Sequence, residues 1–452
     1  MAAPHATPSA PLSTAGTAPA SHGLWAASAP PAPPAGPLTA DLSGAQAVDV
    51  LIIGGGYTGC SAALHLAEGG ARVALLEARA LGHGGAGRNV GLVNAGLWVM
   101  PEVLPQVLGP VHGPRLLQLL GDGPRSVFEL IARHGIACEA VHRGTLHCAV
   151  GASGLAELHQ RARQWQALGA PVTVLDAART AERTGTPAYT GSLLDLRAGT
   201  VQPLAYVRGL AAAAQRAGAQ LYVGSRAVRA EPTGTPQQPG WCLHTDTGGR
   251  VQARWVLVAT DAYTGEHGLW PALQTEQVSL PYFNLATEPL TPRQAAGLLP
   301  GGEGAWDTRQ VLTSFRMDAA GRLVFGSVGA LQGSGRAVHT AWARRAMARL
   351  FPQLRGVALQ HAWHGTIGMT HDAIPRLHTL APQVLAVAGY NGRGISPGTV
   401  MGRALARHIL GLDAPDALPL PFSTPEPERW RTLRTAGYEA GAQAQHLVDA
   451  RW

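Results

Sequence analysis

The apolar run Val48–Ile53 (VDVLII) leads without a break into Gly54-Gly55-Gly56-Tyr57-Thr58-Gly59, and this junction constrains the fold more than any other feature of the chain. A short run of this kind forms a strand buried on both faces. A helical pattern follows from Cys60 to Gly69, and a second apolar run, Ala71–Glu77 (ARVALLE), closes a strand–turn–helix–strand unit typical of a parallel sheet. Within the G-x-G-x-x-G spacing, Gly54 permits a tight turn, Gly56 lets a pyrophosphate approach the backbone, and Gly59 lets the helix pack on the strand. Free amides and the positive helix end then meet phosphate charge. Glu77 ends the second strand 18 residues after Gly59, where a carboxylate accepts hydrogen bonds from both ribose hydroxyls and repels the 2′-phosphate of NADP.

NAD and FAD share this fingerprint. A second glycine-rich segment, Gly82–Gly91 (GHGGAGRNVG), follows directly where a nicotinamide domain would run into its next helix. Close backbone approach to a second part of the cofactor explains it, and this favours FAD. Pyridoxal chemistry is excluded because all 35 basic residues are arginine, leaving no amine for a Schiff base. The excess of basic over acidic residues, 35 against 28, is scattered, without the dense basic runs and interleaved aromatics of a nucleic-acid surface. Cys60, Cys138, Cys148 and Cys242 are widely spaced, lack a Cys-x-x-Cys pair and read as reduced thiols. With no apolar run long enough to span a bilayer and no signal-peptide pattern, a soluble cytoplasmic enzyme is expected.

The expected fold is α/β: a Rossmann-like FAD-binding domain built from discontinuous segments, plus an α+β substrate domain with a mixed or antiparallel sheet. Residues 1–22, rich in Ala, Pro, Ser and Thr, are expected to be disordered. Residues 23–47 form an extended Pro-rich arm anchored by Trp25. Segments 48–135, 199–276 and 363–412 are assigned to the FAD-binding domain, because strand-like runs at Arg250–Thr260 and Gln383–Gly389 return to its pattern. Segments 136–198 and 277–362 are assigned to the substrate domain, with strands at Thr145–Val150 and Leu323–Ser327. Helical patterns cover Pro114–His134, Gly154–Leu168, Leu204–Gly218 and Val338–Leu350. Residues 413–452 read as an appended helical tail.

Taken with Gly199–Glu231, Trp255–Thr264 (WVLVATDAYT) and Ala388–Gly411 (AGYNGRGISPGTVMGRALARHILG), Val48–Gly91 resembles the D-amino-acid-oxidase-like FAD oxidoreductases. These include glycine oxidase and monomeric sarcosine oxidase, and the most similar group is the γ-glutamylputrescine oxidases. The resemblance covers roughly Trp25–Gly411. It implies that Tyr57 and Thr58 join the three glycines at the pyrophosphate. Glu77, Ala78 and Arg79 would lie by the adenosine half, and Val228 would offer its backbone to adenine. Gly85, Ala86, Gly87, Arg88, Asn89 and Gly91 would run beside the pyrophosphate and flavin, with Thr260, Gly365 and Gly389 also at the cofactor. Asn391, Gly392, Arg393, Gly394 and Ile395 would line the pyrimidine side of the ring. Ser396 as N-cap, Pro397 at the first helical position and Gly411 at the stop would aim a helix at that side, stabilising charge on the reduced ring. Some members attach FAD through a Cys a short distance before a Thr-x-Asp sequence; Gly365 stands there, so noncovalent FAD is expected. Arg393 replaces the His of the sarcosine-oxidase group.

The implied chemistry is hydride transfer from carbon beside nitrogen in a small amine or amino acid, followed by imine hydrolysis and reoxidation by molecular oxygen to give hydrogen peroxide. The cofactor supplies the reactivity, so no catalytic triad or carboxylate pair is required. Arg316 could clamp a substrate carboxylate or form a surface ion pair, and Arg393 could hold substrate or cofactor. Tyr282, Trp98 and Trp363 could form walls or be ordinary core, and His364 could donate to the flavin or be an ordinary buried histidine. His361, His364 and His371 are clustered but lack supporting ligands at metal spacing, so no metal is expected. A flavin dehydrogenase passing electrons to a quinone or carrier, and a non-catalytic FAD-containing binding protein, are the competing readings.

Overall fold

In a computed structural model of the chain, residues 22–39, 46–265 and 269–449 are described. Two sheets organise them. The first is centred on Gln46–Ile53, flanked in parallel register by Val73–Glu77 on one side and Arg250–Val258 on the other. Gln220–Val223 extends it beyond Val73–Glu77, and Val384–Ala388 beyond Arg250–Val258, again in parallel. Burial on both faces explains why these strands are continuous apolar runs. The helix Tyr57–Glu68 packs between Pro203–Arg216 and Ile395–Ile409 on one side of the sheet. Gly402 permits close approach: a Cβ there would stand 2.9 Å from Ser61 Cβ and strike the Thr58 carbonyl.

The second sheet is mixed. In it Leu359–Met369, Val278–Thr287, Leu323–Val328, Thr313–Met317 and Gly304–Asp307 run antiparallel in that order. Thr145–Ala149 then joins in parallel to Gly304–Asp307. One face of this sheet carries the core of Phe283, Phe315, Phe325 and Trp342.

Several boundaries differ from those the sequence suggests. The strand Leu359–Met369 pairs along its whole length with Val278–Thr287, so a domain border at 363 would cut through a strand of the second sheet. The pattern at Pro114–His134 resolves into two helices, Val103–Gly121 and Gly123–His134. The arm opens with a short helix, Leu24–Ser28, and fully buries Trp25, whose Nε1 donates to the Asn89 carbonyl at 2.9 Å. Burying a side chain of this size is worth about 1.5–3 kcal/mol.

The segment after Leu412 is not an appendage. Phe422–Ser423 adds a strand to the first sheet, and the helix Arg431–Val448 packs on Val278–Thr287 and on the helix Gly333–Leu350. Expected disorder over 1–22 lies outside the described residues except at His22, which is buried and bonded to the Gly82 carbonyl at 3.1 Å. No helix among the described residues is long and apolar enough to cross a membrane.

Candidate active site

A cavity of about 720 Å³ runs between the two sheets. Its first end is built from backbone. Strand Gln46–Ile53 delivers Gly54 in a conformation with φ of 111°, and its amide donates to the Leu76 carbonyl at 2.8 Å. A Cβ on Gly59 would collide with the Gly54 carbonyl, whereas one on Gly56 would meet only Ala86, at 3.9 Å. Gly59 is thus required for packing, and Gly56 leaves its peptide open to the cavity. The helix beginning at Tyr57 has no side-chain cap, so the amides of its first turn lack a local acceptor.

Glu77 Oε2 accepts from the Gly55 amide and Oε1 from the Arg79 amide, each at 2.8 Å. It braces the glycine turn, and each oxygen keeps a second acceptor site toward the cavity, which Glu77, Ala78 and Arg79 all line. Burial pushes its carboxyl pKa up, against the two amides that lower it.

The loop after the second strand is folded by Asn89, whose Nδ2 donates to the carbonyls of Gly85 and Ala86 and whose Oδ1 accepts from the Gly91 amide. Gly85, Ala86, Arg88 and Asn89 line the cavity. Gly87 and Gly91 do not; a Cβ on either would strike a carbonyl, that of Gly82 or of Val201, so they serve the packing of the loop. Arg88 Nε and Nη1 donate to the carbonyls of His83 and His364, holding this loop to the second sheet.

At the middle of the cavity, Gly365 and the loop Asn391–Gly394 both contribute lining, with Thr260 in the wall. Gly389 lies behind this lining, its amide held by Asp261 Oδ1 at 2.8 Å. Helix Ile395–Ile409 starts two residues before the expected position: Gly394 is its N-cap, and Ser396, the expected cap, is inside the helix with its hydroxyl buried and unpartnered. Glycine cannot cap through a side chain, so the first-turn amides stay available where Gly394 and Ile395 line the cavity. Gly411, with φ of 74°, ends the helix as expected.

The far end is built from large side chains. Arg393, only 8% exposed, donates from Nη1 to the Ala95 carbonyl and lies 4.5 Å from the Trp98 ring and 5.4 Å from that of Trp306. Its Nε has no protein partner. Burial, and secondarily the charge of Arg161, lower its pKa to about 9. Tyr282 shares a 2.7 Å hydrogen bond with Ser314, and both line the space.

The sequence does not single out His147, Glu157, Arg161, Trp306, Asp307 or Arg309, yet all line this end. Trp306 and Asp307 come from a four-residue strand without a motif, so only pairing with Thr145–Ala149 reveals them. Asp261, by contrast, stands inside the recognisable stretch Trp255–Thr264. Burial lifts the carboxyl pKa of Asp261 and of Asp307 to about 6.

Several expected residues lie elsewhere. Arg316 is 1% exposed and outside the lining: it donates to the carbonyls of Val201 and Met317 and packs 5.6 Å from the Trp25 ring, so it is neither a clamp nor a surface ion pair. His364 does not line the cavity, because the lining on its strand begins at Gly365 and runs on through Met369. Trp363 is core, donating to the Arg88 carbonyl at 3.0 Å. Val228 is 46% exposed and outside the lining, which is formed instead by Ser225, Arg226 and Ala227. His371 is a surface residue near Asp372.

The chain belongs to the FAD dependent oxidoreductase (DAO) family, whose model matches residues 49–408. It is 32% identical over 383 residues to "Probable oxidoreductase OrdL" of Rhizobium meliloti, covering 84% of this chain and 86% of that protein. It is 31% identical over 416 residues to the γ-glutamylputrescine oxidoreductase of Escherichia coli, covering 89% and 92% respectively. The fold matches glycine oxidase from Geobacillus kaustophilus with a TM-score of 0.66 at 22% identity, over 82% of this chain and 96% of that one. FAD is therefore the cofactor and the chain is an oxidoreductase, which removes the non-catalytic reading. The cavity suits FAD, offering uncapped helix amides at two places, a bare glycine turn and the part-buried carboxylate of Glu77, with Ala227 also in the lining.

Proposed function

We propose that this enzyme oxidises a C–N bond in a small amine or amino acid that carries an anionic group, with Arg393 binding that group. The observation that carries the reading is the unpartnered Nε of a buried guanidinium at the cavity end opposite Glu77 and Ala227. A buried cation without a carboxylate partner is costly, and an incoming carboxylate satisfies it with charge-assisted hydrogen bonds.

FAD would lie with its adenosine by Glu77 and Ala227, its pyrophosphate at Gly56–Thr58 and its ring between Gly365 and Asn391–Ile395. When bound, it accepts a hydride from the carbon beside nitrogen, leaving an imine that water hydrolyses. The protein's own part is to orient and to exclude water. Trp98 and Trp306 fix Arg393 in place. Tyr282 and Ser314 fix one wall by their mutual hydrogen bond. The amides of Gly394 and Ile395 stabilise negative charge developing beside them. Noncovalent attachment follows from Gly365 and from the four cysteines, none of which lines the cavity.

The relative from Escherichia coli supports an amine donor, and molecular oxygen is the proposed acceptor, giving hydrogen peroxide. Anaerobic bleaching of the flavin by a panel of amines and amino acids, then readmission of air, tests both proposals. Bleaching by carboxylate-bearing amines and rapid recolouring are expected. Bleaching only by amines without an anionic group would overturn the role of Arg393, and slow recolouring would make the enzyme a dehydrogenase.

A further inference from the structure

The hairpin of Ala227–Thr235 and Gln238–Thr245 branches from the first sheet, where Trp241–His244 pair antiparallel with Arg250–Ala253. Its register sets Glu231 directly opposite Cys242, and His244 follows two residues later on the same face. One ligand atom from each of the three lies within 4.8 Å of the other two. His244 Nε2 is 2.8 Å from Glu231 Oε2 and 3.8 Å from Cys242 Sγ.

We propose that Glu231, Cys242 and His244 form a binding site for a divalent metal ion of the zinc type, with water completing its coordination. Thiolate sulfur, imidazole nitrogen and carboxylate oxygen are the three donor types zinc uses, at about 2.0–2.3 Å, which sets ligand atoms about 3.3–3.8 Å apart on a tetrahedron. The Cys242–His244 separation already meets this, and the His244–Glu231 pair opens by about half an ångström to admit the ion. The Cys242 thiol gives up its proton on binding, and the thiolate and carboxylate together neutralise the metal charge. Arg229, opposite His244, holds Glu231 Oε1 and leaves Oε2 for the ion, orienting the carboxylate from behind. The ion would clip together the two strands of a hairpin whose first residue, Ala227, lines the cavity.

The thiols provide a direct readout. Cys60, Cys138 and Cys148 are buried in the core, and Cys242 alone of the four is partly exposed, so alkylation of the folded protein reports on it. The FAD-loaded protein, stripped with a chelator and dialysed against zinc sulfate, is expected to retain one zinc per chain by elemental analysis. Zinc is expected to slow Cys242 alkylation by about tenfold or more, and Cys242→Ala, His244→Ala and Glu231→Gln each to weaken zinc retention by about tenfold or more. Retained flavin absorbance shows that the variants are folded. Two results would overturn the site: a variant combining all three substitutions retaining as much zinc as the unsubstituted chain, or Cys242 in the unsubstituted chain reacting equally fast with and without zinc.

Discussion

The two ends of the cavity are made of different materials. The end at Gly54–Thr58 is glycine, amide hydrogens and one braced carboxylate, all contributed by a single strand–turn–helix–strand unit. The end at Arg393 is guanidinium, indole and phenol, brought together from the loop before helix Ile395–Ile409, from Trp98, and from the strands that hold Trp306 and Tyr282. A backbone-built site tolerates change in neighbouring side chains but not an added Cβ in the wrong place. A side-chain-built site can be re-tuned one residue at a time, and there the substrate is chosen.

The largest effect is expected where a charge is placed in the backbone-built end. Gly56→Glu has room for its side chain and points a carboxylate at the pyrophosphate site, so flavin affinity falls by about a thousandfold, near 4 kcal/mol, with the chain still folded. Retention of flavin through gel filtration checks it, and a yellow variant would break the assignment of that end.

Comparison of the two buried arginines sharpens the contrast. Arg393→Ala should lower kcat/KM for the preferred substrate by about 10- to 100-fold, the worth of one or two charge-assisted hydrogen bonds, with flavin retained. Arg316→Met should leave kcat/KM unchanged but lower stability by about 2–4 kcal/mol, because the carbonyl of Val201 loses its donor. If the two variants exchange phenotypes, Arg316 is the clamp after all.

Asp307 tests whether the far end is tuned electrostatically. Burial raises its carboxyl pKa above the unfolded value, so the folded state binds its proton more tightly. The stabilisation is full below about pH 4 and is lost as pH rises through about 6, at most about 3 kcal/mol. Asp307→Asn should flatten that part of the stability profile in chemical denaturation across pH 4–7; an unchanged slope would place the proton uptake elsewhere. The smallest effect is expected for Tyr282→Phe, which removes the bond to Ser314 but keeps the ring: about threefold to tenfold in KM, about 1 kcal/mol, with kcat little changed.

Legibility follows the same division. The fingerprint, Glu77, the Gly85–Asn89 loop and the Asn391–Ile395 segment could be read from the chain because each is a local sequence whose residues must be near one another. Arg316, His364 and Trp363 were equally visible as residue types near recognisable stretches, yet they point away from the cavity. Position along the strand decides these cases: Ser314 lines the cavity and Arg316, two residues on and on the same face, does not, while on Leu359–Met369 the lining begins only at Gly365. Ser396 misleads in another way: it is a good capping residue, but the helix is capped two residues earlier, at Gly394.

By itself, then, the sequence determined the strand–glycine–helix junction, the carboxylate at the end of the second strand, the cofactor class and the absence of lysine chemistry. Each of these depends on residues close in the chain, where covalent geometry and hydrophobic period leave few choices. Only the tertiary structure decided that Arg393 rather than Arg316 faces the cavity, that Trp306 and Asp307 join it, that residues beyond 412 complete both sheets' surroundings, and that Glu231, Cys242 and His244 meet on one hairpin face. Those outcomes depend on strand register and on which face is buried, and both are settled by packing between segments far apart in the chain.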